Sequence, residues 1–224
     1  MTPSASSNTV PKLTFFLVSF ILCFFMAKDI AAPNTKNLTN LPLGKGVFLV
    51  ADPHMGGPYF SNSVVLLLEY DQTGAFGVIV NRPTNIPLAQ IVPNIKGVEK
   101  LKGNMFLGGP VARNNPLMLL RTDKKPEKVD NSVLDGVYYI TDHKYMIDII
   151  QEMGPEDKVR VYAGYAGWYP GQLEAEVERG GWVVLKADPY TLFDKNPDKI
   201  WDDLISGKSG ISVRLQQWQS APEA

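Results

Sequence analysis

From Ser63 to Tyr70 nearly every side chain is apolar, the pattern of a strand buried on both faces. Asp71-Gln72-Thr73-Gly74 follows, and Ala75 to Asn81 resumes a β-rich run. Two such runs joined by a short polar turn predict a β-hairpin. A strand without a polar face needs cover on both sides, so the rest of the chain has to supply other packed elements.

One of these is a helix. Met146, Ile149, Ile150 and Met153 fall at i, i+3, i+4 and i+7, one apolar stripe over His143 to Met153. Thr141 or Asp142 is placed to cap it, and Gly154-Pro155 stops it. A second helix is expected over Leu173 to Arg179. A third opens at Asn196-Pro197, an N-cap and first-turn pair, and runs to Ile205. Further strands are expected at Val47–Ala51, Met105–Leu107, Leu117–Arg121, Gly136–Ile140, Val159–Ala163 and Trp182–Lys186, with a short helix at Leu88–Val92. Lys124 to Ser132 is charged and reads as a surface excursion. Strands and helices mix without a regular βαβ rhythm, which predicts one α+β domain with a mixed sheet flanked by short helices.

The expected boundaries are a leader or anchor over residues 1–32, a linker over 33–43, the domain over 44–207 and a tail over 208–224. Leu13 to Ala27 is a 15-residue apolar run preceded by Lys12. A spanning helix wants about 20 such residues and a signal h-region roughly 7–15, so the segment reads as an export leader or a short anchor. A start at Met26 would instead give a leaderless, cytoplasmic chain. Membrane contact is expected only through this segment.

The charge balance bears on partners. Formal net charge is -1, and leaving out residues 1–32 removes Lys12, Lys28 and Asp29, so 20 basic side chains face 22 acidic ones. Polyanion binding draws on a surplus of Lys and Arg, so nucleic acid is not an expected partner. Cys23, the single cysteine, lies in the apolar run, and the two histidines, His54 and His143, stand in different segments. Neither a Cys-based zinc site nor a thiol nucleophile can be assembled downstream, and no metal or cofactor is expected.

Several motifs, taken in order, resemble the YqgE/AlgH family of bacterial proteins. They are Ala51-x-Pro53-x-Met55, Pro58-x-Phe60-x-x-Ser63-Val64-Val65, the stretch from Gly74 to Pro83, and Gly108-Gly109-Pro110-Val111. Gly164 to Trp168, then Gly171-Gln172-Leu173-Glu174-x-Glu176, Trp182, Ala187-Asp188-Pro189, Leu192-Phe193 and Trp201 complete the set. The resemblance covers about residues 44 to 205 and implies an α+β fold with a strongly curved mixed sheet. It implies no established catalytic residues, and the family's regulatory label comes from a member linked to control of alginate production. The chain departs from the family pattern in its N-terminal leader, at Asn115-Pro116-Leu117 through Arg121, and at Thr141-Asp142-His143-Lys144.

Two loops attract attention as binding elements. Pro83 holds Arg82 extended, so Asn81 and Arg82 offer an amide and a guanidinium at a strand end. The reading is either an anion or carboxylate site or a loop pinned by Arg82. Gly164 to Trp168 carries Tyr165 and Trp168, flat surfaces suited to a ligand or partner, with Gln172 and Glu174 at a helix start; the alternative is a packed strand-to-helix corner. The expectation is a non-catalytic binding or regulatory protein, its partner a protein or small ligand, using one concave surface built from Asn81, Arg82, Tyr165, Trp168, Gln172 and Glu174. The rival is a hydrolase acting on a small ligand through Asp52, His54 or Ser63. Direct transcriptional control stands third, opposed by the charge balance.

Overall fold

The hairpin foreseen at Asp71–Gly74 sits inside a mixed, strongly curled sheet. The computed structural model describes residues 41–91, 95–127 and 131–207. Its strands are β1 (Val47–Ala51), β2 (Val64–Asp71), β3 (Gly74–Ile79), β4 (Pro83–Pro87), β5 (Asn104–Leu107), β6 (Val111–Arg121), β7 (Ser132–Leu134), β8 (Val137–Ile140), β9 (Lys158–Trp168) and β10 (Trp182–Lys186). The helices are α1 (Leu88–Ile91), α2 (His143–Glu152), α3 (Gln172–Glu178), α4 (Pro189–Phe193) and α5 (Pro197–Ile205).

Strand order is β10-β1-β2-β3-β9-β6-β8-β7, with β5 pairing both β4 and β9. Every pairing is antiparallel except β5 with β9. The long β9 organises the sheet. Its Ala166–Trp168 end pairs β3, whereas Tyr162 and Ala163 pair β5. The partner changes at Gly164, whose φ of +73° belongs to the left-handed region that glycine tolerates.

Side-chain alternation sorts the core. Phe48, Val50, Val64, Leu66, Leu68, Leu119 and Tyr162 line one face, covered by Leu192 of α4 and by Ile200 and Leu204 of α5. On the other face two clusters form. Leu49, Val65, Leu67, Trp168 and Trp182 pack with Leu173 of α3, while Met118, Leu120 and Val161 pack with the Met146, Ile149, Ile150 and Met153 stripe. The uninterrupted apolar run of β2 is explained by this two-sided cover. Leu41 and Leu43, expected within the linker, also pack against the Trp168 cluster.

Local signals placed several ends as expected. Asp142 caps α2 by accepting from the Tyr145 N–H, and Asn196 caps α5 by accepting from the Asp198 N–H. The structure departs from the sequence reading in one place and adds two elements for which the sequence reading gave no assignment. Gly164–Trp168 is strand rather than loop, because the left-handed backbone at Gly164 lets β9 continue to a new partner. Pro83–Pro87 is a strand held by β5, and Pro189–Phe193 is a helix capped by Asp188. The expected leader, residues 33–40 of the linker, and the tail lie outside the described residues. Among the described residues no helix is long and apolar enough to cross a membrane.

Candidate functional site

The loop after β1 is tied down at both ends. The Asp52 carboxylate accepts from the His54 N–H at 2.8 Å, and the Ser61 hydroxyl donates to the Gly57 carbonyl at 2.9 Å. Asn81 and Arg82, just past β3, fasten the loop from beneath. The Asn81 side-chain oxygen accepts from the Val64 N–H at 2.8 Å, and its amide nitrogen donates to the Asn62 carbonyl at 2.9 Å. Arg82 donates to the carbonyls of Pro58 at 3.2 Å and Ser61 at 2.8 Å. Burial lowers the Arg82 guanidinium from its ordinary value, and no carboxylate meets it among the described residues. Arg82 therefore pins a loop through its carbonyls.

The pinned loop delivers Phe60 and Tyr59 in different directions. Phe60 stacks on Trp168 at 6.4 Å between ring centres and meets Trp182 edge-on at 5.6 Å. Both indoles are buried and share one acceptor: Trp168 Nε1 and Trp182 Nε1 each donate to Glu176 Oε2 at 2.9 Å. Gln172 donates its side-chain amide to Glu176 Oε1 at 3.0 Å and accepts from the Tyr169 N–H at 3.1 Å. Glu176 is thus the hub of this corner, with three neutral N–H donors around its carboxylate. Sequence reasoning quoted Glu176 in a motif but gave it no role; its spacing of four from Gln172 on one helix face was the available signal.

The remaining candidates lie elsewhere. Glu174 faces β2, accepting from the Tyr70 hydroxyl at 2.6 Å, which raises the Tyr70 phenol. Tyr165 belongs to the opposite sheet face from Trp168, edge-on to Phe76 at 5.8 Å, with Phe76 in turn edge-on to Tyr139 at 5.7 Å. The six residues therefore do not share one concave surface. Asn81 and Arg82 serve the loop, Trp168 and Gln172 serve Glu176, and Tyr165 and Glu174 each stand apart.

Tyr59 points to a place the sequence reading missed. Val111 pairs Tyr165 and Pro116 pairs Ala163, so Ala112–Asn115 of β6 bulge out opposite Gly164. Val111 to Asn115 are all exposed. Ala112 has φ +49°, a strained value for a residue with a Cβ. Arg113 lies across Gly164 and sets its guanidinium 5.4 Å from the centre of the Tyr59 ring. The bulge is supported by a crossing of bare backbones. A Cβ on Gly164 would come within 2.6 Å of the Gly109 and Val111 carbonyl oxygens, and one on Gly108 within 2.2 Å of the Gly164 oxygen. The glycine motifs around residues 108 and 164 are one feature, brought together by folding.

Of the residues considered for hydrolysis, His54 Nδ1 lies 3.0 Å from Asp52 Oδ1, with the imidazole 95% exposed. Ser63 is fully buried, and its hydroxyl donates to the Phe60 carbonyl at 2.8 Å. Among the described residues no three His, Cys, Asp or Glu side chains converge on one point. A surface depression of about 360 Å³ lies away from this region, between Arg121, Asp123, Asp135 and Pro189.

The AlgH-like family model matches residues 48–212. A UPF0301 protein of Cytophaga hutchinsonii is 34% identical over 181 residues, covering 80% of this chain and 98% of the relative. One from Mycobacterium tuberculosis is 33% identical over 168 residues, covering 71% and 80%. Among solved structures, the AlgH protein of Pseudomonas aeruginosa superposes with a TM-score of 0.60 at 28% identity, covering 84% of this chain and all of that one. A Corynebacterium diphtheriae protein shares the fold with a TM-score of 0.64 at 23% identity, covering 76% and 90%.

Proposed function

The chain belongs to the AlgH-like family, and from that premise we propose that it is a non-catalytic binding protein with a protein partner. Its docking surface is the Ala112–Asn115 bulge together with Tyr59. The observation that carries this reading is the strained, exposed turn at Ala112, which presents Arg113 against Tyr59 on a loop already fixed by Asn81 and Arg82. Backbone strain of this kind persists where the surrounding structure holds it, often at functional surfaces. A preorganised surface loses little entropy on binding, and Arg and Tyr are favoured anchors. An exposed bulge suits another protein surface better than it encloses a small molecule.

The test uses two baits, the wild type and a Tyr59→Ala/Arg113→Ala double variant, incubated with extract of the source cells. A protein retained by the first and lost from the second, with binding reproduced by calorimetry on purified components, supports the reading. Identical retention by both baits refutes it. A second reading, hydrolysis of a small ligand, is favoured by the exposed Asp52–His54 pair and requires turnover that disappears in His54→Ala. The apolar run Leu13–Ala27 supports work outside the cytoplasm. N-terminal sequencing of the cellular protein tests this, since a chain starting at Met26 would contradict it.

A further inference from the structure

Among the described residues β10 ends the strand order and pairs only β1. Parity tells which of its main-chain groups face outward. The Gly181 carbonyl accepts from the Asp52 N–H at 3.0 Å, and the Ala187 N–H donates to the Gly46 carbonyl at 3.4 Å. Val183 and Leu185, between them in the same alternation, therefore also turn their main-chain groups to β1. The N–H and C=O groups of Trp182, Val184 and Lys186 point the other way, and no group among the described residues bonds to them. An edge of this kind is a template for one more strand. Only Lys186, at its far end, sets an exposed charge against such pairing.

The core runs out to this edge. Leu185 and the half-buried Val183 share a cluster with Ile200, Leu204 and the half-buried Ile205 of α5. α5 packs on β1: the Trp201 indole donates to the Ala51 carbonyl at 2.8 Å, and Ala51 is the β1 partner of Trp182. There the helix stops. Gly207, at φ +69°, donates its N–H to the Leu204 carbonyl and turns the chain out of the helix.

Residues 208–224 lie outside the described residues, but their sequence carries a pattern. Ile211-Ser212-Val213-Arg214-Leu215-Gln216 alternates apolar and polar side chains, the period of a strand with one buried face. Residues 211–215 match the five-residue length of β10. Neighbouring strands lie about 4.8 Å apart, so the position beyond β10 is about 10 Å from β1. Four residue steps from Gly207 to Ile211 reach up to about 14 Å. The tail is long enough to arrive there from the end of α5.

We propose that residues 211–215 add to the open edge of β10 as a further strand of the same molecule. Main-chain bonds to Trp182, Val184 and Lys186 hold it. Ile211, Val213 and Leu215 lie beside Val183 and Ile205 and extend that face of the core, with Ser212 and Arg214 on the opposite face. So placed, the tail keeps the edge from pairing with another chain. The proposal draws on nothing in the Tyr59–Arg113 surface, and either can fail without the other.

Amide hydrogen exchange, followed by NMR on the purified full chain, tests this. In the wild type the Val184 and Lys186 amides should exchange at least about tenfold more slowly than in Val213→Pro, which removes a donor and breaks strand pairing. Gln219→Pro, beyond the segment, should leave their rates unchanged. The wild-type Val184 amide should also show nuclear Overhauser contacts to main-chain protons of residues 211–215. If Val213→Pro does not fold, these contacts decide alone, and their absence overturns the proposal. Sedimentation shows whose tail is bound: protection in a monomer is expected, whereas protection that appears only in a dimer gives the edge to a second copy and overturns the proposal. Rapid exchange at Val184 in the wild type overturns it too, as does protection that Val213→Pro leaves intact.

Discussion

Replacing Glu176 by alanine removes the acceptor shared by two buried indoles. In the native corner Oε2 takes both Trp168 Nε1 and Trp182 Nε1 at 2.9 Å, and Oε1 takes the Gln172 amide at 3.0 Å. Hydrogen bonds to a charged group are worth about 1.5–3 kcal/mol each, so stranding the two indole donors costs roughly 3–6 kcal/mol. Glu176 is only partly buried, which lets water replace some of that, and alanine returns a few tenths of a kcal/mol in helix propensity. A net loss of about 3 kcal/mol is expected, a fall of about 6–12 °C in Tm for a chain of this size. Glu174→Ala, two residues away on α3, provides the control. It gives up one exposed bond to the Tyr70 hydroxyl and is expected to lose about 1 kcal/mol or less. Urea unfolding at pH 7, followed by tryptophan fluorescence, measures both variants with every tryptophan retained. The hub argument fails if the two variants unfold within about 0.5 kcal/mol of each other.

Gly164→Ala forces a Cβ to within 2.6 Å of two carbonyl oxygens at φ +73°; a loss above about 4 kcal/mol, or no soluble protein, is expected. Gly103→Ala, at φ +84° with open space around it, should lose only the left-handed penalty of about 1–2 kcal/mol in the same urea assay. At Asp194, burial alone would raise the carboxyl, but Lys158 and Arg121 together outweigh it and hold it below its ordinary value. A lowered folded-state value means that its contribution is complete above the unfolded value of about 3.9 and is lost as pH falls through the folded one. The stability gap between wild type and Asp194→Asn, measured by denaturation from pH 7 down to pH 2, should therefore hold above about pH 5 and close in acid. Arg82→Met frees the Pro58 and Ser61 carbonyls. Faster proteolytic cutting within residues 52–62 is expected with a global loss of about 1–2 kcal/mol; unchanged cutting would show that Arg82 does not hold the loop.

The chain's local grammar was legible in its residues. The Asp71–Gly74 turn, the Met146–Met153 stripe, the Asp142 and Asn196 caps and the apolar β2 run each draw on neighbours within a few positions, so periodicity and turn chemistry suffice to find them. Three things depended on distant partners. Pro83–Pro87, bounded by prolines that weaken any intrinsic strand signal, is a strand because β5 pairs with it. Glu176 became a hub because Trp168 arrives on β9 and Trp182 on β10, the strands before and after its helix in the chain, and both indoles reach one carboxylate oxygen. In the sequence the glycine at 164 allows a tight turn or the close approach of a second backbone, and the glycines at 108 and 109 separate two strands, with nothing to connect the two places. Only folding shows that they are bare because two backbones cross there. A sequence states which side chains are missing, but the space they leave is shaped by chain segments far away along it, and that close approach exists only in three dimensions.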